Sequence, residues 1–88
     1  SEVETLLGRN PAIAGSAVLG REDAEKGEVP VAFVQLTPDQ AGKISEADLS
    51  GWCRESMASY KVPEIRIMEE LPLTATGKVQ KEQLKEKL

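Results

Sequence analysis

Residues 29–36, Val-Pro-Val-Ala-Phe-Val-Gln-Leu, commit this chain to a sheet. Valine and phenylalanine dominate the run, and such side chains suit the pleated, half-buried surface of a strand. Pro30 has no backbone N–H, which puts it near the strand's start or at a sheet edge. A strand cannot stand alone, so the rest of the sequence must supply partners. Residues 12–19 are small and apolar and read as a second strand, paired with the first as a hairpin. Residues 20–28 hold four acids, two bases and two glycines, and read as a long connecting loop. Residues 64–68 alternate, with Ile65 and Ile67 on one face, and read as a short third strand.

Helical spacing fills the gaps. Val3, Leu6 and Leu7 recur at i, i+3 and i+4 behind a Ser1 cap, and Asn10-Pro11 stops that helix. Residues 37–44 are a turn-rich link with Pro38, Asp39 and Gly42. Ser45 caps the next helix, and Asp48 three positions on makes a partial capping box. Leu49, Trp52, Cys53, Met57 and Tyr60 share one apolar face, and Lys61-Val62-Pro63 ends the helix. Residues 81–88 form a short charged helix with Leu84 and Leu88 four apart, where Lys85 and Lys87 balance Glu82 and Glu86. The order helix, two strands, helix, strand, helix predicts an α+β domain. Its sheet is mostly antiparallel, of about three strands, and is packed by helices.

Composition narrows the functions open to it. The 88 residues suffice for one small domain. A net charge of −4 and only three aromatic residues argue against nucleic-acid binding. No apolar run approaches the roughly 18 residues of a membrane span. Nor is there a basic-then-apolar secretory leader. Cys53 is the only cysteine, which suits a reducing, cytoplasmic setting. Histidine is absent, and with it the usual general base and the usual metal ligand. Glu22, Asp23 and Glu25, and the pair Glu69-Glu70, read as solvated faces, so no metal site is expected. Cys53, beside Trp52 on an apolar face, reads as a buried structural thiol.

One stretch stands apart. Residues 72–79, Pro-Leu-Thr-Ala-Thr-Gly-Lys-Val, mount Lys78 at the tip of a Pro/Thr/Gly loop ahead of a charged helix. Gly77 permits a sharp turn and close approach of a ligand. Lys78 projects a compact charge with three donors. Thr74 and Thr76 either brace the loop or bond a ligand oxygen. A P-loop reading fails, because Pro72 stands where its first glycine belongs and Val79 where its Ser or Thr belongs. On composition alone Lys78 reads first as an exposed loop lysine of no consequence, and only the whole string read together points elsewhere.

Leu71-Pro72-Leu73-Thr74-Ala75-Thr76-Gly77-Lys78-Val79, with Lys81 and Leu84 following, resembles the last core motif of the adenylate-forming superfamily. Three further segments resemble that family in the same order. They are Asn10-Pro11-Ala12-Ile13 with Ala17-Val18-Leu19-Gly20; Gly27-Glu28-Val29-Pro30-Val31-Ala32-Phe33-Val34; and Tyr60-Lys61-Val62-Pro63. The resemblance spans residues 1–88 and implies the mobile C-terminal lid domain of an acyl-CoA synthetase, cut from a longer chain whose N-terminal ATP and substrate domain is absent. It implies an ATP-dependent, AMP-forming reaction in which Lys78 is the catalytic lysine of adenylation. Thr74, Thr76 and Gly77 are then its substrate- or nucleotide-binding loop. It implies ATP with Mg and coenzyme A as cofactors of the full-length enzyme, none bound by this domain alone, and inactivity of the fragment. It also implies Lys78 as a target of reversible acetylation, with a lysine acetyltransferase and deacetylase as partners. Tyr60-Lys61-Val62-Pro63 is closer to CoA ligases of fatty, medium-chain or aryl acids than to peptide-synthetase adenylation domains. Two other readings stand beside this one: a stand-alone docking module recognised through the Lys78 loop, and a structural cap on a partner.

Overall fold

The computed structural model describes residues 2–25, 27–56 and 62–88. In chain order the elements are α1 (Glu2–Leu7), β1 (Ile13–Asp23), β2 (Gly27–Leu36), α2 (Glu46–Ser56), β3 (Glu64–Met68) and α3 (Lys81–Lys85). The expected Ser1 cap lies outside the described residues, as do Met57, Tyr60 and Lys61 at the far end of the second helical stretch.

The three strands form one sheet in the order β1-β2-β3. β1 pairs antiparallel with β2, from Ile13 opposite Leu36 to Asp23 opposite Gly27. β3 pairs parallel with β2, from Glu64 opposite Val31 to Met68 opposite Gln35. The sheet is therefore mixed, with the longer ladder antiparallel. The parallel ladder follows from connectivity. A strand returning in the same direction needs a long crossover, and α2 supplies it.

The long loop expected at residues 20–28 is a short turn instead. β1 continues to Asp23 and β2 begins at Gly27, so only residues 24–26 connect them. Backbone pairing carries both strands beyond the apolar stretch, with Glu22 opposite Glu28. The polarity of those residues records that the hairpin end leaves the core, and says nothing against strand. Asp23 Oδ1 accepts the Glu25 N–H at 2.8 Å, and Gly27 takes φ +80°, which together turn the chain. Pro30 sits in the central strand, one residue before the parallel ladder begins at Val31, where that side of β2 is still an edge.

Because β2 is covered on both faces, its run of Val31, Ala32, Phe33 and Val34 is buried without alternation. Ala32, Val34 and Leu36 face Leu7 of α1, Leu49 and Cys53 of α2, and Ile65 of β3. Trp52 packs partly buried against this cluster. Val31 and Phe33 face Ala17 and Leu19 of β1, Leu84 of α3, and Leu71. Leu88 joins the second cluster, but α3 itself stops at Lys85, short of the expected residue 88.

The α2 cap and the outer edge of β3 are satisfied by nearby side chains. The capping box at α2 is complete: the Asp48 N–H donates to Ser45 Oγ at 3.1 Å, and the Ser45 N–H donates to Asp48 Oδ2 at 2.9 Å. The Ser45 N–H, then the Ser45 hydroxyl, hold the Asp48 carboxyl below its ordinary range. Glu46 Oε2 accepts the Ile67 N–H at 2.8 Å, which blunts the outer edge of β3.

Candidate functional site

The site begins where β3 ends. Past Met68 the chain bends at Glu69-Glu70 and crosses the face formed by Val31 and Phe33. Leu71 plugs that face, 2% exposed, and its N–H donates to Gln35 Oε1 at 3.0 Å. The chain then makes a small hairpin. Leu73 and Val79 form an antiparallel bridge at its neck, and the Gln80 N–H donates to the Pro72 carbonyl at 2.8 Å.

The tip is a turn followed by a left-handed glycine. The Gly77 N–H donates to the Thr74 carbonyl at 2.9 Å, and the Thr74 N–H donates to the Lys78 carbonyl at 2.7 Å. Gly77 has φ +87°. This is the three-residue hairpin loop that places glycine at the bulge, a position that L side chains adopt at a cost. A Cβ on Gly77 would meet nothing within 4 Å, so glycine serves the backbone angle there and leaves open space beside Lys78. Thr74 Oγ1 accepts the Lys78 N–H at 3.1 Å and shares a 2.9 Å hydrogen bond with Thr76 Oγ1. Both threonine hydroxyls thus brace the loop in this conformation.

Lys78 leaves the braced loop exposed, and its ammonium makes no hydrogen bond or ion pair among the described residues. Neighbouring cations are engaged. Lys81 Nζ lies 3.3 Å from Glu4 Oε1 on α1, and Lys85 Nζ lies 3.1 Å from Glu82 Oε1. On the Val31–Phe33 face, the Arg66 guanidinium sits over the Phe33 ring, 5.8 Å from its centroid. It also bonds the Lys87 carbonyl and pairs with Glu64 at 3.0 Å. The bond to the Lys87 carbonyl ties the chain just past α3 to the sheet.

The loop brings together Lys78, Thr74, Thr76 and Gly77. Cys53 is elsewhere, fully buried under α2, where desolvation pushes its thiol pKa up. A thiol held protonated in an apolar core is a packing group. Among the described residues no three carboxylate or thiol side chains gather to hold a metal ion. No helix among the described residues is long and apolar enough to cross a membrane. The residue that sequence reasoning misses is Gln35. Its one signal is a polar side chain inside the otherwise apolar run of residues 29–36.

Comparison with known proteins bears on this loop. Residues 2–78 match the family described as "AMP-binding enzyme C-terminal domain". The chain is 43% identical over 86 residues to "Probable acyl-activating enzyme 5, peroxisomal" of Arabidopsis thaliana, covering 97% of this chain and 16% of that protein. It is 40% identical over 88 residues to the 2-succinylbenzoate–CoA ligase of Listeria innocua, covering 99% of this chain and 18% of that protein. Among solved structures, the anthranilate CoA ligase AuaEII in complex with anthranoyl-AMP superimposes with TM-score 0.78 at 41% identity, over 98% of this chain and 17% of that one. A Mycobacterium tuberculosis fatty acyl CoA synthetase gives TM-score 0.81 at 30% identity, over 98% of this chain and 17% of that one. The chain thus spans less than a fifth of the length of these relatives.

Proposed function

Because the chain belongs to the family of AMP-binding enzyme C-terminal domains, we propose that it is the mobile lid of an ATP-dependent, AMP-forming carboxylate–CoA ligase. Lys78 is then the cation of the adenylation step. The observation that carries this reading is the exposed Lys78 ammonium, without a partner among the described residues, on a loop braced by its own hydrogen bonds. A charge so mounted is presented outward.

The chemistry explains the need. In adenylation a carboxylate oxygen attacks the α-phosphorus of ATP; an acyl–O–P bond forms and pyrophosphate leaves. Two anions must meet. A cation between them stabilises the charge as it redistributes, and helps most in the transition state. Lysine suits this, with a compact charge on a flexible stem. In the second step the thiol of coenzyme A attacks the acyl carbon, a C–S bond forms and AMP leaves. A lid that moves between steps withdraws the lysine and opens the thiol's path. The open space beside Gly77 fits the approach of a carboxylate or phosphate to Lys78. Among the described residues no cluster of carboxylates gathers for Mg; Mg and the nucleotide base would be held by the larger N-terminal domain.

The isolated domain is expected to be inactive. The relatives named for 2-succinylbenzoate, anthranilate and fatty acyl substrates support a CoA acceptor, and the acyl pocket belongs to the larger domain. Acetylation of Lys78 by a protein acetyltransferase belongs to the same proposal. It would remove the charge and stop adenylation, and a deacetylase would restore it. We assign the enzyme to the cytoplasm, which fractionation tests against the peroxisomal label of one relative.

The test is Lys78→Ala in the full-length ligase, with the half-reactions assayed apart. Adenylation, read as pyrophosphate exchange, should fall by about 10²–10³. Thioester formation from supplied acyl-adenylate should hold. If both half-reactions survive, the domain is a docking module and Lys78 is a surface residue. Lys78→Gln, which mimics acetylation, should match the alanine variant.

A further inference from the structure

Leu71, the base of the lysine loop, rests on one register position of the sheet. Gly15 of β1 and Gln35 of β2 are cross-strand partners there, just past the register shift between Ile13 and Gly15. Gln35 is also the last β2 residue paired with β3. A Cβ on Gly15 would stand 3.3 Å from Leu71 Cδ1, tighter than ordinary contact. Gln35 Oε1 takes the Leu71 N–H at 3.0 Å. One residue makes room by lacking a side chain; the other holds the backbone. By Leu71 the chain has left β3, so that N–H has no strand partner. On a residue 2% exposed, an unpaired N–H is costly.

We infer that Gln35, seated opposite Gly15, is a positioning residue that sets the height of the Lys78 loop for adenylation. The inference rests on the role proposed for Lys78. Leu71 is buried, and the hairpin beyond it is closed by its own hydrogen bonds. A shift at the base is therefore carried to the tip as a rigid displacement. Misplacement of a reacting group by about 1 Å costs up to about 10²-fold in rate. Gln35 touches no substrate and acts only through the backbone of Leu71.

The experiment uses the full-length ligase and four variants. Gln35→Leu keeps the bulk and removes the acceptor. Its adenylation kcat should fall roughly 10- to 100-fold with KM for ATP unchanged, while thioester formation from supplied acyl-adenylate holds. Gln35→Glu keeps an acceptor oxygen and should recover most of the rate. Gly15→Ala presses on Leu71 with the Gln35 bond intact, and should give a smaller loss confined to adenylation. Wild-type adenylation in Gln35→Leu, or an equal fall in both half-reactions, overturns the inference. If Gln35→Leu does not fold, wild-type adenylation in Gly15→Ala overturns it instead. Lys78→Ala run alongside separates the two readings. If it is inactive while Gln35→Leu is fully active, only the positioning role fails. If it is itself active, the role of Lys78 fails and the inference goes with it.

Discussion

On one face of β2, Ala32, Val34 and Leu36 meet two helices; on the other, Val31 and Phe33 meet a five-residue helix and the strand-like base of a loop. The first face is built from long-range packing around α2, an 11-residue helix with a complete capping box. The second is thinner. Among the described residues, Leu84 and Leu71 are its buried contributions from beyond the sheet, and Arg66 bonds the chain just past α3. The face that carries the lysine loop is thus the one with less material over it. Support and presentation are divided between the two sides of a single strand.

Leu49→Ala and Leu84→Ala test that division most severely. Each should lower stability by about 2–5 kcal/mol, since each empties a fully packed site. They should differ in what opens first. Leu49→Ala should weaken hydrogen-exchange protection across the whole sheet. Leu84→Ala should release residues 71–88 while the β1–β2 ladder stays protected. Identical exchange patterns would erase the distinction between the faces.

Gly77→Ala sharpens it at the loop. No neighbour obstructs the new Cβ, so the change should cost about 1–2 kcal/mol of local backbone strain and leave the first face untouched. A melting temperature equal to wild type would mean that the turn relaxes to another form. Ser45→Ala acts on the other side, removing the α2 cap, and should cost about 1 kcal/mol without altering the loop. Asp48 belongs to the same box. Its carboxyl is held below the ordinary value of 3.8, so its contribution is full above that pH and is lost as the pH falls through its folded pKa. Acid melts of wild type and Asp48→Ala should therefore converge as the pH falls; a constant gap would exclude the Asp48 carboxylate as the cause. The smallest effect concerns Cys53. The native domain should resist thiol alkylation that the denatured chain accepts, as its burial and raised pKa imply.

The element order was legible because each helix and strand carries its own signal: the Ser45–Asp48 box, the apolar spacing of Leu49, Trp52 and Cys53, the alternation of Ile65 and Ile67. The loop was legible because Gly77 and its threonines are local turn chemistry. The hairpin length was not. Residues 20–23 and 27–28 pair through backbone atoms, which polar side chains neither require nor forbid. The parallel ladder could have been read from a strand–helix–strand order, which asks for a crossover. Gln35 lay beyond reach, because its partner is 36 positions away and is a backbone N–H.

The lysine loop carries its own bonding with it. The N–H groups of Thr74, Gly77 and Lys78 are each spent within the loop. For a lid that must dock and withdraw once per turnover, this separates travel from adhesion. Those three N–H groups ask nothing of the surface the loop visits, and have no bond to surrender on leaving. The Lys78 ammonium is the one formal charge between Leu73 and Val79 with which to hold the visitor. Added salt should therefore weaken docking through that one charge, as it would for a small free cation.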